Sequence, residues 1–499
     1  MAAGKFGDLP TEILTHILDD PLVSLDTLYS LALLCRRLHL IALSVYFSRH
    51  EVTSVSRSLQ IQMAENRDLL AVLQMALFLP DVDDLTFIFP HPSCVSISPI
   101  LRELRRVETY LSRFHSVKGV TLQLDEPHSV CLSVGDEIAL RAWSIGLGSL
   151  LNCILEKECS CLAVMYGAQM TRYKARNFSG PPRGSRIRRL LETFLCHSTE
   201  MPARDEGHID IQLAPPLPSS HLRSLTIQSA TLVIPPGLHW TLALLRNSNI
   251  TSLTLGRGVE GAAVWSDVLP LIGSATQRLT SLDFLGADFI LPLDILGLLS
   301  GLPALVHLGI SSTQDSGSYP LEGPPTQLPA LQTLRAPPGF VRHFVQQPLS
   351  LPSIRSICIL WSEIFAPVGI RVLGTVLSDI TQTLHTRGLS PSMSVSCDVT
   401  PRMTYSHELL AQYSMGGFPA FLANITALEI TVTNVWNVND LGAWIGLCPR
   451  MQRVDITLGP WSGIDLPIVL QVVKSTNFRG EMTLNGEVCN IGAENGNVA

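Results

Sequence analysis

The sequence predicts an α/β repeat protein: a short N-terminal helical module followed by strand–helix units whose strands form a parallel sheet. Three observations carry this. A pattern of apolar, two residues, apolar, one residue, apolar returns along much of the 499-residue chain. Helix-like or loop-like stretches, punctuated by Pro and Gly, separate its copies. The first fifty residues instead keep their apolar side chains at helical spacing.

That opening stretch reads as three helices. Ile13, Leu14, Ile17 and Leu18 line one face of the first, which begins at Leu9-Pro10. Leu25, Leu28, Leu31 and Ala32 line the second, and Leu38, Ile41, Ala42 and Val45 the third. So short a module cannot bury this much apolar surface within itself, so it either joins a larger core or docks another protein. Residues 51–80 read as a helical linker.

The repeats follow. Val82-Leu85-Phe87 and Val117-Val120-Leu122 carry the pattern, and Leu162–Tyr166 and His208–Leu213 read as further strands. From residue 222 it becomes regular: Leu222-Leu225-Ile227, Ile250-Leu253-Leu255, Leu279-Leu282-Phe284, Leu305-Leu308-Ile310 and Ile354-Ile357-Ile359, with a shorter copy at Leu331-Leu334. Ile425-Leu428-Ile430 and Met451-Val454-Ile456 close the series. Central residues of successive copies from Leu225 to Ile357 lie 28, 29, 26, 26 and 23 positions apart; a gap of 71 follows, then 26. This period and an L-x-x-L-x-L strand are those of leucine-rich repeats, about 20–29 residues long. The last two apolar positions of each copy share one strand face, and Trp240–Leu245 and Val264–Ile272 read as return helices. One such unit cannot close a core alone; a stack can. The gap of 71 has room for two divergent units, with Met393–Val399 as a strand. The expected layout is 1–50 helical module, 51–80 linker, 81–220 divergent repeats, 221–488 regular solenoid with the sheet on its concave side, and 489–499 a frayed polar tail.

Composition narrows the function. With 46% hydrophobic and 15% charged residues the chain is too apolar to be disordered. A net charge of −7 gives no global attraction to nucleic acid or anionic membrane. No basic segment leads into an apolar run at the N-terminus, so no secretory signal is expected. Eleven scattered Cys read as reduced thiols of the cytoplasm or nucleus, which makes the sequons at Asn177, Asn249 and Asn424 chance matches. Residues 289–310 approach the length of a membrane span, but Pro292, Asp294, Gly297, Gly301 and Pro303 favour a buried helix followed by a buried strand.

On Leu9-Pro10-x-Glu12-Ile13-Leu14, the spaced leucines 25, 28 and 31, and Cys35-Arg36-Arg37-Leu38 leading into Ile41-Ala42, the first module resembles an F-box. The whole chain resembles the F-box proteins with a degenerate leucine-rich-repeat body that abound in mushroom-forming fungi. Tyr46 and Phe47 stand where that module often carries a tryptophan. The resemblance implies a non-catalytic substrate-recognition subunit. The F-box would bind the Skp-type adaptor of a cullin–RING ubiquitin ligase, and the repeats a protein substrate, without a cofactor. It implies Leu9, Pro10, Ile13, Leu14, Ile17, Leu28, Leu31 and Cys35 as adaptor-facing. Two alternatives stand beside it: the helices merely cap the solenoid, or the chain is an interaction scaffold outside any ligase.

Other chemistry is thinner. Gly256-x-Gly258-x-x-Gly261 lies between a strand and a helix with Asp283 beyond, as in a dinucleotide-binding turn, but a strand–turn–helix context comes with every repeat. Cys153, Cys159 and Cys161 have no CxxC pair or nearby His to complete a zinc site. Seven basic residues within 172–189 read as a solvated loop and helix face rather than an import signal. By alternation, Thr226, Thr254, Asp283, His307, Arg335, Glu429, Arg453 and Asp455 are the substrate-facing candidates on the sheet. Their mixed signs suit a protein or peptide rather than nucleic acid.

Overall fold

The computed structural model describes residues 9–50, 57–63, 67–77, 82–89, 98–124, 137–167, 213–234, 237–256, 262–286, 290–311, 321, 323, 325–347, 350–361, 367–399, 425–432, 445, 448, 450–458, 466–476 and 478–489. The chain is α/β with largely parallel strands, compatible with a repeat solenoid. It divides into two units: Met1–Ile250 with Gly256–Glu260, and Thr251–Leu255 with Gly261–Ala499.

The first unit opens with α1 (Thr11–Leu18), α2 (Leu25–Ala32) and α3 (Arg36–Arg49). Ser24 caps α2, its hydroxyl accepting from the Thr27 amide at 3.2 Å. α3 is the module's centre and is buried almost all round: Leu38, His39, Ile41, Ala42, Leu43, Val45, Tyr46 and Phe47 are inside. That burial explains why α3 lacks a single apolar stripe. His39 ties it to the rest of the unit. The Leu77 amide donates to Nε2 of His39 at 3.2 Å, which fixes the tautomer, so Nδ1–H donates to the Ala32 carbonyl at 3.0 Å.

Strands β1 (Ser58–Gln62), β2 (Asp84–Ile88), β3 (Gly119–Gln123), β4 (Cys161–Met165) and β5 (Ser224–Gln228) pair in chain order, all parallel. Their inward residues form two continuous rows, Leu59, Leu85, Val120, Leu162, Leu225 and Ile61, Phe87, Leu122, Val164, Ile227. Fully burying such a side chain contributes about 1.5–3 kcal/mol. The return helices are α4 (Arg67–Met75), α5 (Ser98–Leu111), α6 (Glu137–Glu156), α7 (Ala230–Val233) and α8 (Gly237–Asn247). Residues 51–80 are thus not a helical linker throughout: β1 lies inside that stretch and opens the sheet. Residues 208–212 and the basic stretch 172–189 lie outside the described residues.

The second unit contains β6 (Ser252–Gly256) except its last residue, then α9 (Ala262–Ala275), β7 (Ser281–Leu285), α10 (Pro292–Leu299), β8 (His307–Ile310), β9 (Thr333–Ala336), α11 (Pro338–Gln346), β10 (Ser356–Trp361), α12 (Pro367–Thr386) and β11 (Ser392–Val399). It continues with β12 (Ile425–Val432), β13 (Arg453–Leu458), α13 (Leu466–Ser475), β14 (Glu481–Leu484) and β15 (Glu487–Cys489). Strands β6 to β14 follow in chain order. The register slips by one residue between β11 and β12, where the Thr426 hydroxyl donates to the Met393 carbonyl at 2.9 Å. β15 turns back antiparallel through Asn485-Gly486, both at positive φ, the two-residue hairpin of type I′ form. The gap of 71 holds β11; residues 400–424 and the tail after Cys489 lie outside the described residues. Residues 289–310 supply α10 and then β8, and among the described residues no helix is long and apolar enough to cross a membrane.

One device recurs in both units: an arginine at or just past the end of a later helix closes the carbonyl end of an earlier one. Arg49 donates to the carbonyls of Leu18 at 2.8 Å, Asp20 at 2.7 Å and Val23. Arg113 does so for Leu73 and Gln74, both at 2.6 Å, and Ala76; Arg387 does so for Val345 at 2.8 Å.

Candidate functional site

Two surfaces carry the candidate functional side chains: the helical module and the outward face of the second unit's sheet. In the module, α1 splits its apolar residues between two faces. Leu14 and Leu18 are buried, at 0% and 1% exposure, while Ile13 and Ile17 stand 48% and 39% exposed. Leu33, Leu34 and Leu40 are also exposed. Pro10 and Cys35 are exposed, and Leu9 and Leu31 are half-buried. Two expected adaptor-facing residues are therefore corrected: Leu14 and Leu28 are wholly buried and hold the three helices together. Arg37 secures the start of α1, donating to the Leu9 carbonyl at 2.5 Å and the Thr11 hydroxyl at 3.2 Å.

On the second unit's sheet, strand alternation turns Ser281 and Asp283 of β7, His307 and Gly309 of β8, Thr333 and Arg335 of β9 and Cys358 of β10 to one face. Ser394 and Ser396 of β11, Glu429 of β12 and Arg453 and Asp455 of β13 continue it. The charged members pair among themselves. Arg335 donates to Glu429 at 3.1 Å and to the Ser396 hydroxyl at 3.1 Å. Arg453 lies 3.8 Å from Glu429 and 2.7 Å from Asp455, and Asp455 accepts from the Thr483 hydroxyl at 2.6 Å. The chain runs from β9 to β14 and needs the β11–β12 register to form.

Asp283 stands apart from this network. Among the described residues no ion-pair or hydrogen-bond donor contacts its carboxylate; burial raises its pKa, and the charges of Arg335 and His307 offset only part of that. It borders a cleft of about 290 Å³ at the C-terminal ends of the strands, lined also by Gly309, Ser311, Arg335, Trp361 and Ser396. The Trp361 indole is 4% exposed, and among the described residues its Nε1 has no hydrogen-bond partner.

Thus Asp283, His307, Arg335, Glu429, Arg453 and Asp455 occupy one sheet face of the second unit. Thr226 belongs to β5 of the first unit, and Thr254 projects from β6 outside the ion-pair network. Asp283 sits mid-strand rather than at a strand end, as expected of a ribose-binding acid. Gly256 ends β6, while Gly258 and Gly261 lie outside the described residues. Cys153 and Cys159 are buried and Cys161 exposed; burial pushes the Cys159 thiol up to about 12. Among the described residues no group of three or more His, Cys, Asp or Glu is placed to hold a metal ion. Sequence reasoning missed Cys358, Ser396, Thr483 and Trp361. Compared with known proteins, the chain matches no family model and no curated protein.

Proposed function

We propose that the chain is a non-catalytic recognition subunit of a cullin–RING ubiquitin ligase. Its N-terminal helices dock a Skp-type adaptor, and the charged sheet face of the second unit holds a protein substrate. The observation that carries this is α1. Ile13 and Ile17 form an exposed apolar stripe on a helix whose other face, Leu14 and Leu18, already serves the core. With exposed Leu33, Leu34 and Leu40 the module presents more apolar surface than a free helical cap needs. The mechanism is proximity: a substrate held on the sheet is presented at high effective concentration to a ubiquitin-loaded enzyme on the same assembly. The reading puts the protein in the cytoplasm or nucleus, where such ligases work.

A second reading has its own support. The bonds from Leu77 to His39 and from His39 to Ala32 tie the helices to the repeats, as expected of an end cap on an interaction scaffold. Capture of the full chain by a purified Skp-type adaptor separates the two. The ligase reading expects capture that Ile13→Asp with Ile17→Asp abolishes while circular dichroism stays native. No capture, or capture indifferent to both changes, leaves the scaffold.

A further inference from the structure

The cleft beside the ion-pair network has an unbalanced chemistry. Arg335 and Arg453 are engaged by Glu429, Asp455 and Ser396. Asp283 has no such partner among the described residues, though it borders the same cleft. Its carboxylate lies over Gly309, where a Cβ would stand only 2.0 Å from Oδ1, so the missing side chain leaves the acid room on the cleft floor. Trp361 borders the same cleft from the core side of the sheet, and its indole is buried. The lining therefore holds a negatively charged acceptor that no described residue pairs. Leaving a half-buried carboxylate unpaired is costly, and a ligand that supplies the partner removes that cost.

We infer that the cleft takes a basic side chain of a partner protein, an arginine or lysine whose cation sits on Asp283. This rests on the reading of the sheet face as the substrate surface and names the chemistry it selects. An acidic ligand fits worse: it would meet Asp283 as a like charge and would have to draw Arg335 from Glu429 and Ser396. The cleft is of the size that holds one long side chain and its flanking peptide units.

The test titrates the full chain by calorimetry with four acetylated, amidated pentapeptides that differ only at the middle residue: arginine, lysine, glutamine or glutamate. The arginine and lysine peptides should bind about tenfold tighter than the glutamine peptide, the scale of one charge-assisted contact. Asp283→Asn should bring them to the glutamine level. Gly309→Ala should do the same with the charge retained, because the added methyl displaces the carboxylate. Equal binding of the glutamine peptide, preference for the glutamate peptide, no binding at all, or indifference to Asp283→Asn would each overturn the proposal. No adaptor enters the titration, so its outcome is separate from that of the capture experiment.

Discussion

Asp283 of β7 and Gly309 of β8 are register partners, and the acid's carboxylate occupies the space that a side chain at Gly309 would fill. The first unit repeats the arrangement with Asp84 and Gly119, where a Cβ would stand 2.1 Å from Oδ1. In both places a carboxylate rests on the neighbouring strand's backbone. The atom a new methyl strikes is the end of a flexible side chain, so Gly309→Ala should cost only about 1 kcal/mol of overpacking. The cost should vanish in the background of Asp283→Ala, a coupling that a double-mutant cycle by urea denaturation measures. Asp283→Asn alone should stabilise. Burial raises the pKa of Asp283 above its unfolded value, so its stability contribution is greatest at low pH and is lost as pH rises through the folded pKa. The neutral amide escapes that loss, and after solvent screening the gain at pH 7 should be under about 1 kcal/mol.

The two faces of α1 predict opposite phenotypes. Leu14→Ala opens a cavity at a site with 0% exposure and should cost about 2–5 kcal/mol. Ile13→Asp and Ile17→Asp alter exposed positions and should each stay within about 1 kcal/mol of wild type. Thermal unfolding of each variant checks this. Adaptor binding lost in Leu14→Asp would therefore report unfolding, whereas loss in Ile17→Asp would report an interface.

The regular strands were legible because each carries three apolar residues at fixed spacing. β1 was not: Leu59 and Ile61 supply the last two positions, but Ser56 stands where the first apolar residue belongs. β14 escaped in the same way, with Arg479 at that position ahead of Met482 and Leu484. The hairpin into β15 did carry a local signal, Asn485-Gly486, which repeat counting passes over. For the sheet face, alternation alone put Arg335, Glu429, Arg453 and Asp455 on one side. Their pairing depends on the β11–β12 slip, inside the gap of 71 where no motif marks the register. Trp361 was invisible as a site residue because alternation from Ile357 and Ile359 sends it to the core side.

Glu429 is the acceptor shared by Arg335 and Arg453, and it is the better buried partner at 22% side-chain exposure against 51% and 49%. Glu429→Gln should lower stability by about 1 kcal/mol at low ionic strength. The difference should shrink in 1 M NaCl, where screening acts within about 3 Å. Arg453 keeps Asp455 at 2.7 Å, so Glu429→Gln with Arg335→Met should cost no more than Glu429→Gln alone. Denaturation midpoints at the two salt concentrations decide it.

Thiol reactivity should follow burial. Cys35 and Cys161 are exposed, whereas Cys159 and Cys448 are buried and their thiols are pushed up to about 12. Cys358 is also raised, first by burial and then by the charge of Glu429. Iodoacetamide at pH 8 under native conditions, read site by site by peptide mass spectrometry, should label Cys35 and Cys161 well before Cys159, Cys358 and Cys448. Rapid labelling of Cys159 would show that the β3–β4 region opens on the labelling timescale.

His50 should make the N-terminal module sensitive to acid. It closes the last turn of α3, its amide donating to the Tyr46 and Phe47 carbonyls, and its ring lies 4.7 Å from that of Tyr46. Nε2 is buried without a hydrogen-bond partner among the described residues, and burial lowers the pKa below the ordinary 6.5. The sign follows from linkage. The unfolded chain takes up the proton first, so stability contributed by neutral His50 is present above pH 6.5 and is lost as pH falls toward the lower folded value. His50→Phe keeps an aromatic ring against Tyr46 and removes the titration. The urea midpoint of the full chain, followed by circular dichroism at pH 7.5, 6.5 and 5.5, should fall with acid more steeply in the wild type than in His50→Phe. Taking the difference between the two proteins cancels the other titrating groups. Parallel curves would mean that the folded chain holds the His50 imidazolium as readily as water does.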